Sequence, residues 1–278
     1  MIPEASLIAG RLGGLRPYAA LLGAGFARYT AYRAAMVGGA VTNAVFGLMR
    51  ASVLVAAIES RGGPVGGYDT SAAVTFAWTS QALIAVVEVF TWNELALRVR
   101  SGDIAVDLAR PVDLQLGLAA ADLGRAAAVV LPRALPILVA GALTVGLAVP
   151  ADPRAWVLGL VSVVLATLLS FGGRFVVNLL AFWLVDVRGV IGAYVLVTTL
   201  LSGLVAPVRW FPGPVQALAA ATPFPSMVQT PADLLSGHLQ GTAALAAVGV
   251  QLAWLVALGG LGRLLMRAAH RRLVVQGG

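Results

Sequence analysis

The chain has 278 residues, 59% of them hydrophobic and 11% charged, with a mean hydropathy of +0.90; a soluble domain carries roughly 25% charged residues, so lipid must cover much of this one. Its net charge of +7 comes from 19 arginines and no lysine, dispersed between apolar blocks with no continuous basic face, which favours membrane orientation over nucleic-acid binding. With no cysteine, no lysine and only His238 and His270, far apart, the chain has no disulfide, no thiolate chemistry, no Walker A loop and no histidine-rich metal site, and any ATP that drives it is hydrolysed by another polypeptide.

Residues 1–33 lack the apolar core and cleavage site of a secretory signal. From Leu15 to Arg33, Leu15, Tyr18, Leu22, Phe26 and Tyr29 recur at steps of three or four. This spacing predicts an amphipathic helix lying in the inner interface; the alternative is a soluble cytoplasmic helix. Six apolar blocks follow as predicted spans, over 34–58, 70–92, 126–149, 156–184, 190–206 and 243–261, set against a hydrocarbon core of about 30 Å. Residues 59–69 form a turn-rich loop. Residues 115–125 read as a helical approach to the third span, which contains Pro132 and Pro136. Pro150 to Pro153 is a tight turn. The fourth block exceeds one crossing, which predicts tilt, a break near Gly172 and Gly173, or projection beyond the bilayer. Residues 207–231 hold Pro207, Pro212, Pro214, Pro223, Pro225 and Pro231. Their apolar piece is too short to span, so it must be interfacial or packed inside protein. Arg263 to Gly278 is a basic tail.

Arginine placement orients the chain. With both termini in the cytoplasm, thirteen arginines lie inside, and only Arg61, Arg154 and Arg209 lie outside, as the positive-inside rule requires. Trp92 and Trp183 then fall at the inner interface, and Trp156 and Trp210 at the outer one. The expected fold is one all-α integral membrane domain over 1–278. It has six transmembrane helices, cytoplasmic termini, an N-terminal interface helix and short outer helices over 207–240.

The most charged stretch runs from Asn93 to Gln115 and lies in the cytoplasmic loop 93–125. Ser101-Gly102-Asp103 reads as a turn that starts a helix, with Asp103 placed to cap it, Asp107 one turn later, and Pro111 ending it after Arg110. Such a helix suits contact with a soluble partner; an ordinary solvated loop is the plain alternative. Ionisable groups inside spans are functional candidates. Glu88 lies roughly 26 Å from the outer end of the second span at 1.5 Å per residue. Arg174 is at similar depth, Arg133 is also in the cytoplasmic third, and Asn178 shares the face of Arg174. Glu88 is expected to pair with Arg174 or Arg133, unless each arginine snorkels to the headgroups. Arg50 is expected to snorkel outward. Gly38, Gly39 and Gly47 on the first span, and Gly249, Gly259 and Gly260 on the last, permit close helix packing.

The loop SGDIAVDLARPVD resembles the cytoplasmic loop of small permeases in the ABC-2 type exporter family, which carries Gly-Asp, then Leu, then Arg-Pro at this spacing. Pro207 to Pro212 and the run Pro223 to Pro231, with Leu234 and Gly237, resemble that family's elements after the fifth helix and before the sixth. The resemblance implies a permease half that pairs with a copy or a sister permease and binds two ATPase subunits. The ATPase, which holds ATP and magnesium, would meet the N-terminal helix and the loop. Gly102, Asp103, Asp107, Leu108, Arg110 and Pro111 are its implied coupling residues. It also implies export across a bacterial plasma membrane; an amphipathic or lipid-like substrate fits spans with few polar side chains. The first rival is an ion-coupled secondary transporter using Glu88, disfavoured because one off-centre carboxylate and no repeat are present. A membrane-embedded enzyme lacks a histidine near a nucleophile or ligands. A purely structural permease half is a third.

Overall fold

The computed structural model describes residues 14–30, 33–90, 93–184 and 186–272. Apart from an isolated bridge between Val65 and Tyr68, the regular structure among them is helical. In chain order the helices are α1 (Arg16–Thr30), α2 (Arg33–Arg61), α3 (Thr70–Val87), α4 (Glu94–Ser101) and α5 (Ile104–Ala109). There follow α6 (Leu114–Thr144), α7 (Pro153–Leu179), α8 (Arg188–Leu201), α9 (Gly213–Ala220), α10 (Gln229–Leu235) and α11 (Gly241–His270). Five of them, α2, α3, α6, α7 and α11, are long and apolar enough to cross a membrane. At 14 residues, α8 extends only about 21 Å, shorter than the predicted fifth span.

Local chemistry sets several boundaries. Asp69 accepts from Ala72 N at 2.8 Å and starts α3. Asp113 accepts from Leu116 N at 2.9 Å and starts α6. Asp152 accepts from Arg154 N at 2.9 Å, with Pro153 in the first turn of α7; each side chain satisfies an otherwise orphaned helix N–H. The approach over 115–125 is not separate from the third span, because α6 runs unbroken through it to Thr144. Within α6, Val130–Ala134 forms one wider π-turn, where Leu135 N reaches Val130 O and Pro132 supplies no N–H. Of the options for the fourth block, a break at Gly172-Gly173 is excluded: α7 passes through both, and Tyr194 of α8 packs against Gly173. α11 continues past the predicted end of the last span to His270.

α3 is the central helix, buried almost without interruption from Ala73 to Val87. α2 and the outer part of α6 pack on it, and Trp78 fits against Gly47 of α2 and Gly141 of α6. α7 carries α11 on one side, where Gly262 rather than Gly249, Gly259 or Gly260 makes the close approach, to Gln115 and Phe175. The proline-rich segment folds into short turns and the helices α9 and α10, with Met227, Val228, Ala232 and Leu234 buried. Its second half is packed inside protein, whereas α9 buries only Ala219 and leaves Leu218 exposed. There α10 docks on α7 and α3, and three buried polar groups lock it. Tyr68 Oη donates to Asp233, and Gln229 Nε2 donates to Tyr68 Oη at 2.7 Å and to Asp233 at 2.8 Å. His238 stacks on Tyr68 with ring centroids 4.0 Å apart. Residues 1–13, Trp92 and the end of the basic tail lie outside the described residues.

Candidate functional site

The end of the bundle opposite α10 carries the charged stretch. It forms two helices rather than one, α4 and α5, separated by Gly102 in the left-handed conformation with φ +84°, where a side chain would be strained. Asp103 does not cap α5. Its own backbone is helical and its carboxylate accepts from Ser101 Oγ at 2.6 Å instead. Asn93 does not cap α4 either. That role passes to Asn178 of α7, which accepts from Ala96 N at 3.1 Å and donates to the Arg174 carbonyl at 2.8 Å. Asn178 thus ties the charged loop to a long helix.

An apolar underside supports the same attachment. Leu95 and Ile104 are buried on Phe171, Phe175 and Leu179, with Leu108 packed beside them. Asp107 is buried at 8% exposure and takes a hydrogen bond at 2.8 Å from Arg98, whose other nitrogen holds Glu94 at 2.7 Å. The Asp107 hydrogen bond holds the Arg98 pKa above its ordinary value. Arg110 stands 3.7 Å from Asp107 and Arg28 of α1 stands 3.5 Å from Glu94. Arg110 and Pro111 are exposed at the loop's far end. Thus α1, α4 and α5 meet through one chain of charges.

α1 itself lies along the first half of α6. Gly25 sits against the Ala121 backbone, and Gly124 against the backbone of Leu22 and Phe26. The small face Gly117, Ala121 and Gly124 lets the two helix backbones approach. Between α1, the loop helices and α6 lies a cleft of about 610 Å³, with Leu21, Ala24 and Leu118 in its walls and Arg28, Arg98 and Arg110 among its charges.

Asp122 and Arg125, also on that cleft, join the charges expected inside the spans. α3 ends at Val87, and Glu88 follows in the left-handed conformation with φ 53°, so it caps the helix end. Arg125 donates to the Ala85 and Val86 carbonyls, each at 2.9 Å, thereby satisfying the last turn of α3. It also lies 3.3 Å from Glu88 and 2.7 Å from Asp122, and Asp122 continues to Arg174 at 2.8 Å. Glu88 and Arg174 therefore belong to one network, assembled by two residues that the sequence reading placed in a mere approach segment. Their signal was available: Asp122 and Arg125 are an i, i+3 pair inside AAADLGRAAAV, where an unpaired charge would be out of place. Arg133 is not in it. Its guanidinium lies over Gly39, its Nε has no acceptor, and it makes no ion pair among the described residues. Nor are the described residues grouped as a metal site.

Comparison with known proteins adds one match. The family model described as ABC-2 family transporter protein covers residues 46–277. No curated protein and no solved structure matches the chain.

Proposed function

The chain belongs to the ABC-2 family of transporter proteins, and from that premise we propose that it is the permease half of an ATP-driven exporter. In this reading six spans cross a bacterial plasma membrane, with α8 and the chain beside it as the fifth, and both termini are cytoplasmic. A separate ATPase docks where α1, α4 and α5 converge. A second permease, a copy or a sister chain, completes the path for an amphipathic or lipid-like compound.

The observation that carries this reading is the joint between the loop and the long helices. α4 and α5 offer an exposed outer edge at Asp103, Arg110 and Pro111, while Leu95 and Ile104 are buried against α7. A push on that edge reaches α7 through Asn178 and the Phe171 cluster, and reaches α1 through Glu94 and Arg28. Gly102 provides the turn, and Asp107 with Leu108 provides the anchor. The rigid attachment of a charged surface element suits the passing of motion better than a solvated loop would. Glu88 is held by Arg125 at a helix end, which disfavours it as an ion-coupling carboxylate.

The test is purification of the tagged protein from native membranes in mild detergent, followed by an ATPase assay, beside the exposed double variant Asp103→Ala/Arg110→Ala. We expect an ATPase to co-purify with the native protein, and the variant to elute at the same size while losing the ATPase or its coupling. Recovery of no ATPase, with the variant behaving as the native protein, would overturn the exporter reading.

A further inference from the structure

Arg50 stands far from both ends of its spanning helix. It lies about 18 Å past Gly38 and about 16 Å before Arg61 along α2, a depth from which an arginine side chain does not reach either headgroup layer. It does not snorkel outward. Instead its Nη1 donates to Ser80 Oγ on α3 at 3.1 Å, and Ser80 is fully buried. Its Nε and Nη2 are covered and have no acceptor among the described residues. The imbalance extends along the seam between α2 and α3. Asn43 Nδ2, two turns before Arg50 on the same face, and Trp78 Nε1 are also buried donors without acceptors, whereas Gln81 Oε1 is the single unpaired acceptor among the described side chains of these two helices.

A guanidinium at mid-membrane needs an anion close by. The acids among the described residues are elsewhere. Glu59 and Asp69 stand at the far ends of α2 and α3, Glu88 and Asp122 are engaged by Arg125 and Arg174 at the other end, and Asp233 is held by Tyr68 and Gln229. A second copy would bring the same acids at the same depths. Beside Arg50, Phe46, Met49 and Val53 present exposed apolar side chains on α2.

We propose that Arg50 binds the oxyanion head, carboxylate or phosphate, of an amphiphile that the protein moves, with the apolar face of α2 receiving its hydrocarbon body. This rests on the transporter reading and gives its substrate a charge. Binding takes a rotation of the Arg50 side chain away from Ser80, replacing one bond to a neutral hydroxyl with a charge-assisted, two-pronged contact. Arg50 is then a recognition residue, and Ser80 holds it when no ligand is bound.

Bromine quenching of tryptophan fluorescence tests the idea, since Trp78 packs on Gly47, one turn from Arg50. The protein, with its co-purifying partners, is placed in zwitterionic lipid nanodiscs and titrated with 9,10-dibromostearate or with its methyl ester. The native protein should bind the anion at least about ten-fold more tightly than the ester, as expected for a charge-assisted contact. Unbrominated dodecyl phosphate should compete. Arg50→Gln should lose the preference while still binding the ester, which shows that it is folded, and Arg50→Lys should keep part of it. Equal affinity for anion and ester in the native protein, or a preference that survives Arg50→Gln, would overturn the proposal. The assay needs no hydrolysis, so a chain without an ATPase partner that still shows Arg50-dependent anion binding would refute only the exporter reading.

Discussion

Gly25→Ala should dislodge α1, while Gly23→Ala, two residues earlier on the same helix, should not. The position that a Cβ would take at Gly25 lies 2.9 Å from the Ala121 carbonyl carbon, and closer still to its oxygen. Carbon atoms rest at about 3.5–4.0 Å, so α1 must retreat by well over half an ångström. The obstructing atoms are backbone and cannot rotate aside. Overpacking of this kind costs about 1–3 kcal/mol, against a gain of at most about 1 kcal/mol from alanine's helix propensity. A Cβ at Gly23 meets nothing within 4 Å, leaving the propensity gain alone. The two changes are chemically identical and should have opposite signs. Thermal unfolding of the purified protein in nanodiscs reads the difference. Retreat of α1 also carries Arg28 away from Glu94, so ATPase recovery should fall with Gly25→Ala only. Equal midpoints for the two variants would refute the claim that backbone contact seats α1.

Burial raises the Asp233 carboxyl pKa to about 6, against the opposing hydrogen bonds from Gln229 and Tyr68. Because the folded value lies above the unfolded one, the fold favours the neutral acid; that contribution is complete at low pH and is lost as pH rises through about 6, a difference on the order of 3 kcal/mol. Asp233→Asn should therefore flatten the dependence of the thermal midpoint on pH between about 4 and 7, and an unchanged slope would count against the assignment. Arg125→Gln leaves Asp122 and Glu88 without their shared cation and should destabilise by about 3–5 kcal/mol, measured by the same unfolding assay; Glu88→Gln, whose carboxylate is a quarter exposed, should do much less. Tyr68→Phe removes one hydrogen bond from each of two buried partners and should lower stability by about 1–3 kcal/mol, with a loss near zero telling against the Tyr68–Asp233 lock.

Hydropathy made five long apolar helices legible because lipid-facing helices must be apolar whatever they pack against. The ends were less legible, since α6 and α11 run on into polar sequence that tertiary contacts keep helical. Glu88 and Arg174 stood out as charges in apolar runs, yet their connections did not. Asp122 is 52 residues from Arg174, and Tyr68 is 165 from Asp233, separations that no local pattern encodes. Asp103 was misread because a Ser-Gly-Asp turn admits two hydrogen-bond schemes, and Ser101 won over the backbone. Arg50 was misread because snorkelling is the default for an arginine in lipid, and only the position of Ser80 on the neighbouring helix shows that the side chain turns inward.

The π-turn at Val130–Ala134 acts as a phase insert. Each residue of an α-helix advances the direction of its side chain by about 100°, and a wider turn absorbs about one residue's worth of that advance. Before it, Arg125, Ala128 and Val129 are buried; after it, Ile137 and Gly141 are. In an uninterrupted helix Arg125 and Gly141 would point about 160° apart, whereas with one residue absorbed they point within about 60° of each other. Deleting a single residue from this turn would restore a regular helix and keep that phase, so both the charges around Arg125 and the Trp78 contact at Gly141 could keep their partners. Tightening the turn into regular α-helix with no residue removed would preserve composition, hydropathy and predicted span length, yet it would be a frame error in three dimensions: one of the two could keep its partner, but not both.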